Sequence, residues 1–290
     1  MKKISILFIG FILTFGVEGQ DLTSFRLYSH DLKILNPAFA GTENEQQFNF
    51  LHKTFWSKLE ESPTSFLLSY ENHLEKINSG IGFLLENERI GGDFQFGLID
   101  MRLLYNYHIK INRKEKIVFG TGFHYKSANS MQIDYSGPSG LGSMNASYST
   151  IDFDLGAAYH SKNTSVGLST GNVLNSNLID ELASVSNVRA YRAFVTYKYN
   201  LSRDIEVTSL IAYAYQNTQR VWDINLNSVL GEVVLLGINY QIKEGPNSIA
   251  YLAGITIENS FKVLGSFYSN PNKFRGISYE LALFINISNE

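Results

Sequence analysis

The stretch Ile99–Ile111, which reads IDMRLLYNYHIKI, alternates apolar and polar side chains along most of its length. One face carries Ile99, Met101, Leu103, Tyr105, Tyr107, Ile109 and Ile111, and the other carries Asp100, Arg102, Asn106, His108 and Lys110. A period of two residues is typical of a β-strand whose two faces meet different surroundings. The stretch exceeds the roughly 5–6 residues of an ordinary strand and covers the roughly 9–11 that a tilted strand needs to cross a bilayer. It therefore predicts a membrane-crossing strand.

The same alternation recurs along the rest of the chain. Turn-forming residues divide it into fourteen candidate strands. They lie near residues 46–56, 64–73, 78–88, 94–111, 115–126, 148–160, 163–171, 189–200, 204–216, 219–227, 231–242, 247–258, 260–269 and 275–288. We predict an all-β fold, a transmembrane up-and-down antiparallel β-barrel of about 14 strands, over residues 46–290.

The lengths of the connections support this topology. The two long connections, Ser127–Ser147 and Asn172–Val188, follow the fifth and the seventh strand, so both would lie opposite the chain termini. Outer-membrane barrels have short periplasmic turns and long external loops, which predicts periplasmic termini. Within the second connection, Leu174–Ser184 has the spacing of a short amphipathic helix. We expect this loop to pack on its own barrel, and the alternative is a groove for a partner.

Residues 1–19 have the pattern of a secretory signal peptide. Lys2 and Lys3 precede an apolar run from Ile4 to Val17, which is the order of the basic and apolar regions of such a leader. The run is shorter than the roughly 20 residues of a membrane-spanning helix. We predict cleavage between Gly19 and Gln20, and export of the mature chain to the outer membrane. The sequence has no cysteine, which excludes disulfides and thiolate metal sites.

Composition and motifs argue against several classes of function. A net charge of −3 does not suit a nucleic-acid surface, which would need a basic patch. The six histidines lack the spacing of metal ligands, so we predict no metal and no cofactor. Ser169 lies in a G-x-S-x-G match, Gly167–Gly171, but a catalytic serine of that type needs a strand–turn–helix context. Here it falls within an alternating strand, and we predict no catalytic residue and no enzyme.

The segment before the first strand, residues 20–45, lacks a strand pattern. It contains NPAFAG at Asn36–Gly41, where Pro37 cannot donate to a β-ladder and Phe39 stands alone among small residues. A barrel of fourteen strands encloses a wide lumen. We predict that the segment folds into the lumen or seals its periplasmic mouth; the alternative is an ordinary turn leading into the first strand. The residues assigned to this plug or partner-binding role are Asn36, Pro37, Ala38, Phe39, Ala40 and Gly41.

The polar face of Ile99–Ile111 predicts four lumen-lining residues, namely Asp100, Arg102, His108 and Lys110. Two interpretations stay open for them: a polar lumen that tunes selectivity, or an internal salt-bridge network that holds the barrel in shape. The lumen-facing side chains as a whole are interpreted as polar.

Several of these motifs resemble the PorP/SprF family of type IX secretion system membrane proteins of Bacteroidetes. Leu35–Gly41 resembles the family's NPAYAG signature near the mature N-terminus. In the family's order follow Trp56 with Pro63-Thr64, Tyr105–His108, the strand glycines Gly120 and Gly122, Asp152–Gly156 with Tyr159, Val166–Ser169 with Asn172, and Gly276–Glu280. Glu280 stands where the family pattern has Asp.

The resemblance implies a FadL/OmpP1-like outer-membrane barrel that acts with type IX secretion. Its implied partners are a secreted surface protein, for instance a gliding-motility adhesin, or periplasmic components of the secretion machinery, with outer-membrane lipid around the barrel. Two alternatives remain: a FadL-like transporter of a small hydrophobic compound, and a structural or adhesive surface barrel. The transporter would need an apolar pocket or a lateral opening.

Overall fold

The computed structural model describes residues 25–42, 46–58, 62–90, 96–130, 135–137, 140–142, 146–180, 183–186, 188–244, 247–258, 260–269 and 276–287. Fourteen long strands form one closed barrel. They are β1 Gln46–Thr54, β2 Thr64–Leu74, β3 Ser79–Ile90, β4 Phe96–Lys110, β5 Lys116–Ser130, β6 Ala146–His160, β7 Thr164–Gly171, β8 Ala190–Asn200, β9 Ile205–Gln216, β10 Gln219–Leu230, β11 Val234–Lys243, β12 Ser248–Ile257, β13 Phe261–Ser269 and β14 Ile277–Ile287. The predicted barrel of fourteen strands is confirmed. The leader, residues 1–19, lies outside the described residues.

Each strand pairs antiparallel with its neighbours in sequence, and the first and last strands close the ring. The closing ladder runs from Gln46 opposite Ile287 to Thr54 opposite Tyr279. We call the end where β1 begins and β14 ends the base, and the opposite end the loop end. The two long connections leave β5 and β7 at the loop end, as the alternation of strand directions requires.

The outward face is apolar, as the period-two pattern predicts. On β4 the odd-numbered side chains from Met101 to Ile109 are exposed, whereas Asp100, Leu104, Asn106 and His108 are buried. Outward aromatic side chains gather near both ends of the strands. Those near the base include Tyr105, Tyr107, Tyr197 and Tyr199, and those near the loop end include Tyr125, Tyr191, Tyr215, Trp222 and Tyr279. Two aromatic girdles around an apolar band are the mark of a barrel in an outer membrane.

The inward face differs from its predicted polar character, because it carries many large apolar side chains. Buried inward leucines occur on most strands: Leu51, Leu67, Leu84, Leu104, Leu210, Leu235, Leu252 and Leu264. They form one apolar cluster with residues of the N-terminal segment. An apolar lumen wall would be unfavourable against water, and the segment removes that contact.

The described part of the long connections contains two short hairpins. One pairs Tyr135–Gly137 with Gly140–Gly142, and the other pairs Asn177–Asp180 with Ala183–Ser186. The short helix predicted over Leu174–Ser184 is therefore wrong. A run as short as Leu178, Ile179 and Leu182 fits a strand pair as well as one helical turn, and periodicity cannot distinguish them. No helix in the described residues has the length and apolar character needed to span a membrane.

The N-terminal segment lies inside the barrel. Its described part, Phe25–Thr42, is called the inner segment and forms three short 3-10 turns at Arg26–His30, Leu32–Ile34 and Pro37–Phe39. The absence of strand structure here agrees with the sequence pattern. Most of its side chains are buried, including all from Phe25 to Tyr28 and from Lys33 to Ala40.

Candidate functional site

The candidate site is the inner segment together with the lumen wall that holds it. Asn36 is its central residue and is fully buried. Its Oδ1 accepts from Ala38 N at 2.9 Å, which caps the turn that begins at Pro37. Its Nδ2 donates to Ala157 O at 3.2 Å and to Leu168 O at 3.0 Å. Asn36 thus orders its own turn and fixes it to the paired strands β6 and β7.

Three inward glycines make room for the Asn36–Gly41 run. A methyl carbon added at Gly120 would lie 2.5 Å from Ala38 N, and one at Gly80 or Gly156 would overlap Ala40 O or Asn36 Oδ1. Glycine weakens a strand and often marks a place where another backbone approaches closely. The glycines of β3, β5 and β6 therefore form a groove that the backbone of the run fills.

Asn106 closes this groove from β4. Its Nδ2 donates to Pro37 O at 2.9 Å and to Ala40 O, while its Oδ1 accepts from Gly80 N at 2.9 Å. Phe39 packs between the rings of His160 and Phe194, with centroid distances of 4.7 Å and 4.9 Å. At the end of the run, Gly41 has φ +58 and its N–H donates to Glu71 Oε2 at 2.8 Å.

The first part of the inner segment is held by ionised groups. Both oxygens of Glu280 accept from Arg26 N at 2.8 Å, and Oε2 accepts from Leu27 N at 2.9 Å. Lys53 lies 3.5 Å from the same carboxylate. The Arg26 guanidinium donates to Asn239 and Ser248 and lies 3.6 Å from Asp223. A buried charge requires such partners, because desolvation without them is costly.

A second buried ion pair joins Asp31 and Lys33 within the inner segment. Asp31 also accepts from Asn49 Nδ2 at 2.7 Å and from Ser69 Oγ at 3.0 Å, which ties it to β1 and β2. Burial would lower the pKa of Lys33, but the neighbouring Asp31 and Glu71 outweigh burial and raise it. Lys33 is therefore held in its charged form.

His30, at the end of the first turn, is in the opposite situation. Burial, with a smaller contribution from Lys262, lowers the pKa of His30 to about 3. Its ring packs edge-on against Phe284, with centroids 6.3 Å apart. A neutral imidazole is the form that this surrounding favours.

The four predicted lumen-lining residues lie in three different surroundings. Asp100 and Arg102 are 3.0 Å apart and belong to one inward charge cluster with Glu86, His124 and Asp154. Arg102 Nη1 also donates to Ile34 O at 3.2 Å. His108 is buried nearer the base, stacked on His73 at 4.9 Å. Lys110 is exposed at the end of β4.

Sequence reasoning missed most of the residues that hold the inner segment. It did not assign Glu280, Asn106, Arg26 or the three glycines to a site. One signal was available for the glycines: each falls at an inward position of a strand, where glycine is disfavoured unless another backbone approaches. The partners of Glu280 were not accessible in this way, since Arg26 is 254 positions away.

Ser169 does not have the geometry of a catalytic serine. It lies within β7, and its hydroxyl donates to Leu35 O at 2.7 Å, so it serves as another contact to the inner segment. In the described part of the chain, no group of three or more His, Asp or Glu side chains is arranged to hold a metal ion.

The model of the type IX secretion system membrane protein family PorP/SprF matches residues 17–283. The chain belongs to this family. The run at the centre of the site, Leu35–Gly41, is the one that resembles the family signature. No curated protein matches the chain.

Solved structures with a similar fold include two toluene transporters and a FadL homologue. The toluene transporter TodX of Pseudomonas putida is similar with a TM-score of 0.54 at 10% identity, covering 88% of this chain and 94% of that one. The toluene transporter TbuX of Ralstonia pickettii gives 0.53 at 10% identity, covering 87% and 91%. A FadL homologue of Pseudomonas aeruginosa gives 0.51 at 8% identity, covering 87% and 92%. At these identities the likeness concerns the fold alone. The family match and the closed barrel together make this PorP/SprF protein an outer-membrane barrel.

Proposed function

We propose that this PorP/SprF protein acts in type IX secretion as a closed barrel that binds protein. It holds a secreted surface protein at its loop end or docks on periplasmic secretion components at its base, and it does not conduct solutes. The observation that carries the proposal is the position of the inner segment, which is buried in the lumen.

The inner segment bridges the lumen from one wall to the other. Arg26 contacts β10, β11 and β12 through Asp223, Asn239 and Ser248, whereas Asn36 is bonded to β6 and β7. Charged hydrogen bonds hold the first of these contacts and a glycine groove holds the second. A lumen crossed in this way favours binding over transport.

The base offers a surface suited to a periplasmic partner. Lys110 at the end of β4 and Arg113, Lys114 and Lys162 in the turns after β4 and β6 are exposed there. Their positive charges are complementary to an acidic protein surface. This feature favours docking by the base as a second mode of binding.

Transport of a small hydrophobic compound is the second candidate function. The likeness to two toluene transporters and the inward leucines favour it. Those leucines, however, pack in one cluster with Leu27, Ile34 and Leu35 of the inner segment. A transport path along them would require the segment to leave the lumen.

The test is purification of the tagged barrel from its native outer membrane in mild detergent, with mass spectrometry of the proteins that accompany it. Recovery of a secreted surface protein or of periplasmic components is expected, together with negligible conductance in planar bilayers. Deletion of residues 20–41 should then open a conducting pore. Recovery of the barrel alone with bound lipid or fatty acid would favour the transporter instead.

A further inference from the structure

The start of the inner segment lies near the loop end of the barrel. The Arg26 guanidinium donates to Ser248 Oγ at 2.6 Å, and Ser248 is the first residue of β12 at the loop end. The guanidinium carbon also lies 5.2 Å from the ring centroid of Tyr268, which is one residue from the loop end of β13. Arg26 N donates to Glu280, the fourth residue of β14 from the loop end. Phe25 and Arg26 are therefore held in the part of the lumen nearer the loop end.

The other end of the inner segment lies at the base. Phe39 packs against His160, the last residue of β6. Thr42 O accepts from Lys116 Nζ at 2.6 Å, and Lys116 is the first residue of β5. Both wall residues lie at the base, because even-numbered strands end there and odd-numbered strands begin there. The inner segment thus runs through the lumen from the loop end to the base.

Between its two ends, the inner segment occupies the middle of the lumen. Tyr28 accepts from Asn225 of β10 at 3.3 Å, and Ile34 O accepts from Arg102 of β4 on the facing wall at 3.2 Å. Leu27 packs in the same apolar cluster as the inward leucines. A second stretch of chain passing from Phe25 toward the base would have to displace these contacts.

Few residues precede Phe25 in the mature chain. After the predicted cleavage behind Gly19 they are residues 20–24, and five extended residues span at most about 18 Å. From Glu280 to Ile287 at the base, β14 continues for seven residues, which is about 24 Å of strand and a height of about 17–20 Å at a tilt of about 35–45°. The five residues could reach the base only along a straight line through the lumen that the inner segment occupies.

We infer that the mature amino terminus of this protein lies at the loop end, on the cell-surface side of the outer membrane. The two chain termini then lie on opposite sides, because β14 ends at the base. This differs from the two periplasmic termini that the connection lengths predict. A partner at the loop end can contact the first residues of the mature chain, whereas a partner at the base can contact only the end near Thr42. The inference goes beyond the proposed function, because it holds whichever partner the barrel binds.

Labelling of single cysteines on intact cells tests the inference. The chain has no cysteine of its own, so Asp21→Cys provides one thiol at the start of the mature chain. Asn217→Cys, in the exposed turn between β9 and β10, marks the loop end, and Asn112→Cys, in the exposed turn between β4 and β5, marks the base. The probe is a polyethylene glycol maleimide too large to pass through outer-membrane pores, and a gel shift reports the labelled barrel.

Asp21→Cys should be labelled on intact cells to the same extent as Asn217→Cys. Asn112→Cys should be labelled only after the outer membrane is permeabilised. Labelling of Asp21→Cys only after permeabilisation would place the amino terminus in the periplasm and overturn the inference. Absence of labelling in both conditions would place it inside the lumen and overturn the inference as well. So would labelling of Asn112→Cys but not Asn217→Cys on intact cells, because the loop end would then face the periplasm.

Two controls keep the result clear. Each variant should keep the heat-modifiable mobility of the unaltered barrel, and Thr23→Cys repeats the measurement at a position further from the cleavage site. Mass spectrometry of the purified barrel should show a chain that starts at Gln20. A retained leader would overturn the inference, since a longer chain before Phe25 would not be confined to the loop end.

Discussion

The two halves of the inner segment are held in different ways. Phe25–Lys33, the charged half, is bound by Glu280, Asp223 and its own Asp31–Lys33 pair. Ile34–Gly41, the fitted half, is bound between its ends by neutral hydrogen bonds and by a groove of glycines. Charged side chains contact it only at its two ends, where Arg102 donates to Ile34 O and Glu71 accepts from Gly41 N. The charged half depends on partners that cost free energy to bury, and the fitted half depends on shape. Removal of one partner should therefore disturb the first half more than the second.

Two single-cysteine reporters distinguish the halves, because the chain has no cysteine of its own. Ser29→Cys reports on the charged half and Thr42→Cys on the end of the fitted half. The rate at which each cysteine reacts with a maleimide in the detergent-solubilised barrel measures how often that half leaves its position in the lumen. Each 1.4 kcal/mol of lost stability corresponds to about a tenfold faster reaction.

Loss of Glu280 should have the largest effect. Glu280→Ala removes the carboxylate beside the buried Lys53 ammonium and the acceptor of the Arg26 and Leu27 backbone N–H groups, a change that costs about 3–5 kcal/mol in buried ion pairs. The Ser29→Cys rate should rise on the order of 100-fold or more, with a smaller rise at Thr42→Cys. The control Glu258→Ala, at an exposed turn, should leave both rates unchanged. Equal rises at the two reporters would mean that the halves leave together.

Filling the glycine groove should have the next largest effect, and this effect should fall on the fitted half. Gly120→Ala places a methyl group against the backbone of Ala38, and overpacking of this kind costs about 1–3 kcal/mol. The Thr42→Cys rate should rise about 5- to 150-fold. Gly97→Ala is the matched control, since nothing lies within 4 Å of a methyl carbon there. A silent Gly120→Ala variant would show that the run does not fill the groove.

Asn36→Asp separates the two duties of that side chain. The carboxylate of Asp still accepts from Ala38 N, but it cannot donate to Ala157 O and Leu168 O. Leaving these buried acceptors without a donor should cost about 1–3 kcal/mol of stability. We expect the Thr42→Cys rate to rise in Asn36→Asp at least as much as in Asn36→Ala. If Asn36→Asp instead behaved like the unaltered protein, the capping bond would be the one that matters.

Near neutral pH, the smallest effect is that of His30 on the charged half. The pKa of His30 is about 3 when the inner segment is bound in the lumen, whereas it is about 6.5 for an imidazole in water. Between these pH values, His30 of a displaced segment binds more protons than His30 of a bound segment. The inner segment should therefore be bound less stably in the lumen as pH falls from about 6.5 toward 3. Above a pH of about 6.5, titration of His30 should not change its stability. His30→Gln should flatten this part of the Ser29→Cys profile. An unchanged profile would assign the pH dependence to other groups.

The sequence placed all fourteen barrel strands within a few residues, because a strand with one lipid-facing side repeats every two residues and needs no distant information. It also separated the outward face from the inward face, and Asn36–Gly41 from the strands. It could not predict that the lumen wall carries both apolar and polar side chains, since inward leucines are favourable only where the inner segment covers them. Nor did it predict the hairpin at residues 177–186, where a short run fits either structure.

Local pattern and turn chemistry by themselves therefore determined the strands, their number and the membrane-facing surface. The tertiary structure alone decided which inward residues contact the inner segment. The physical reason is closure of the ring: Glu280 reaches Arg26, and the glycines of β3, β5 and β6 meet Asn36–Gly41, only after strands far apart in sequence have enclosed a common lumen.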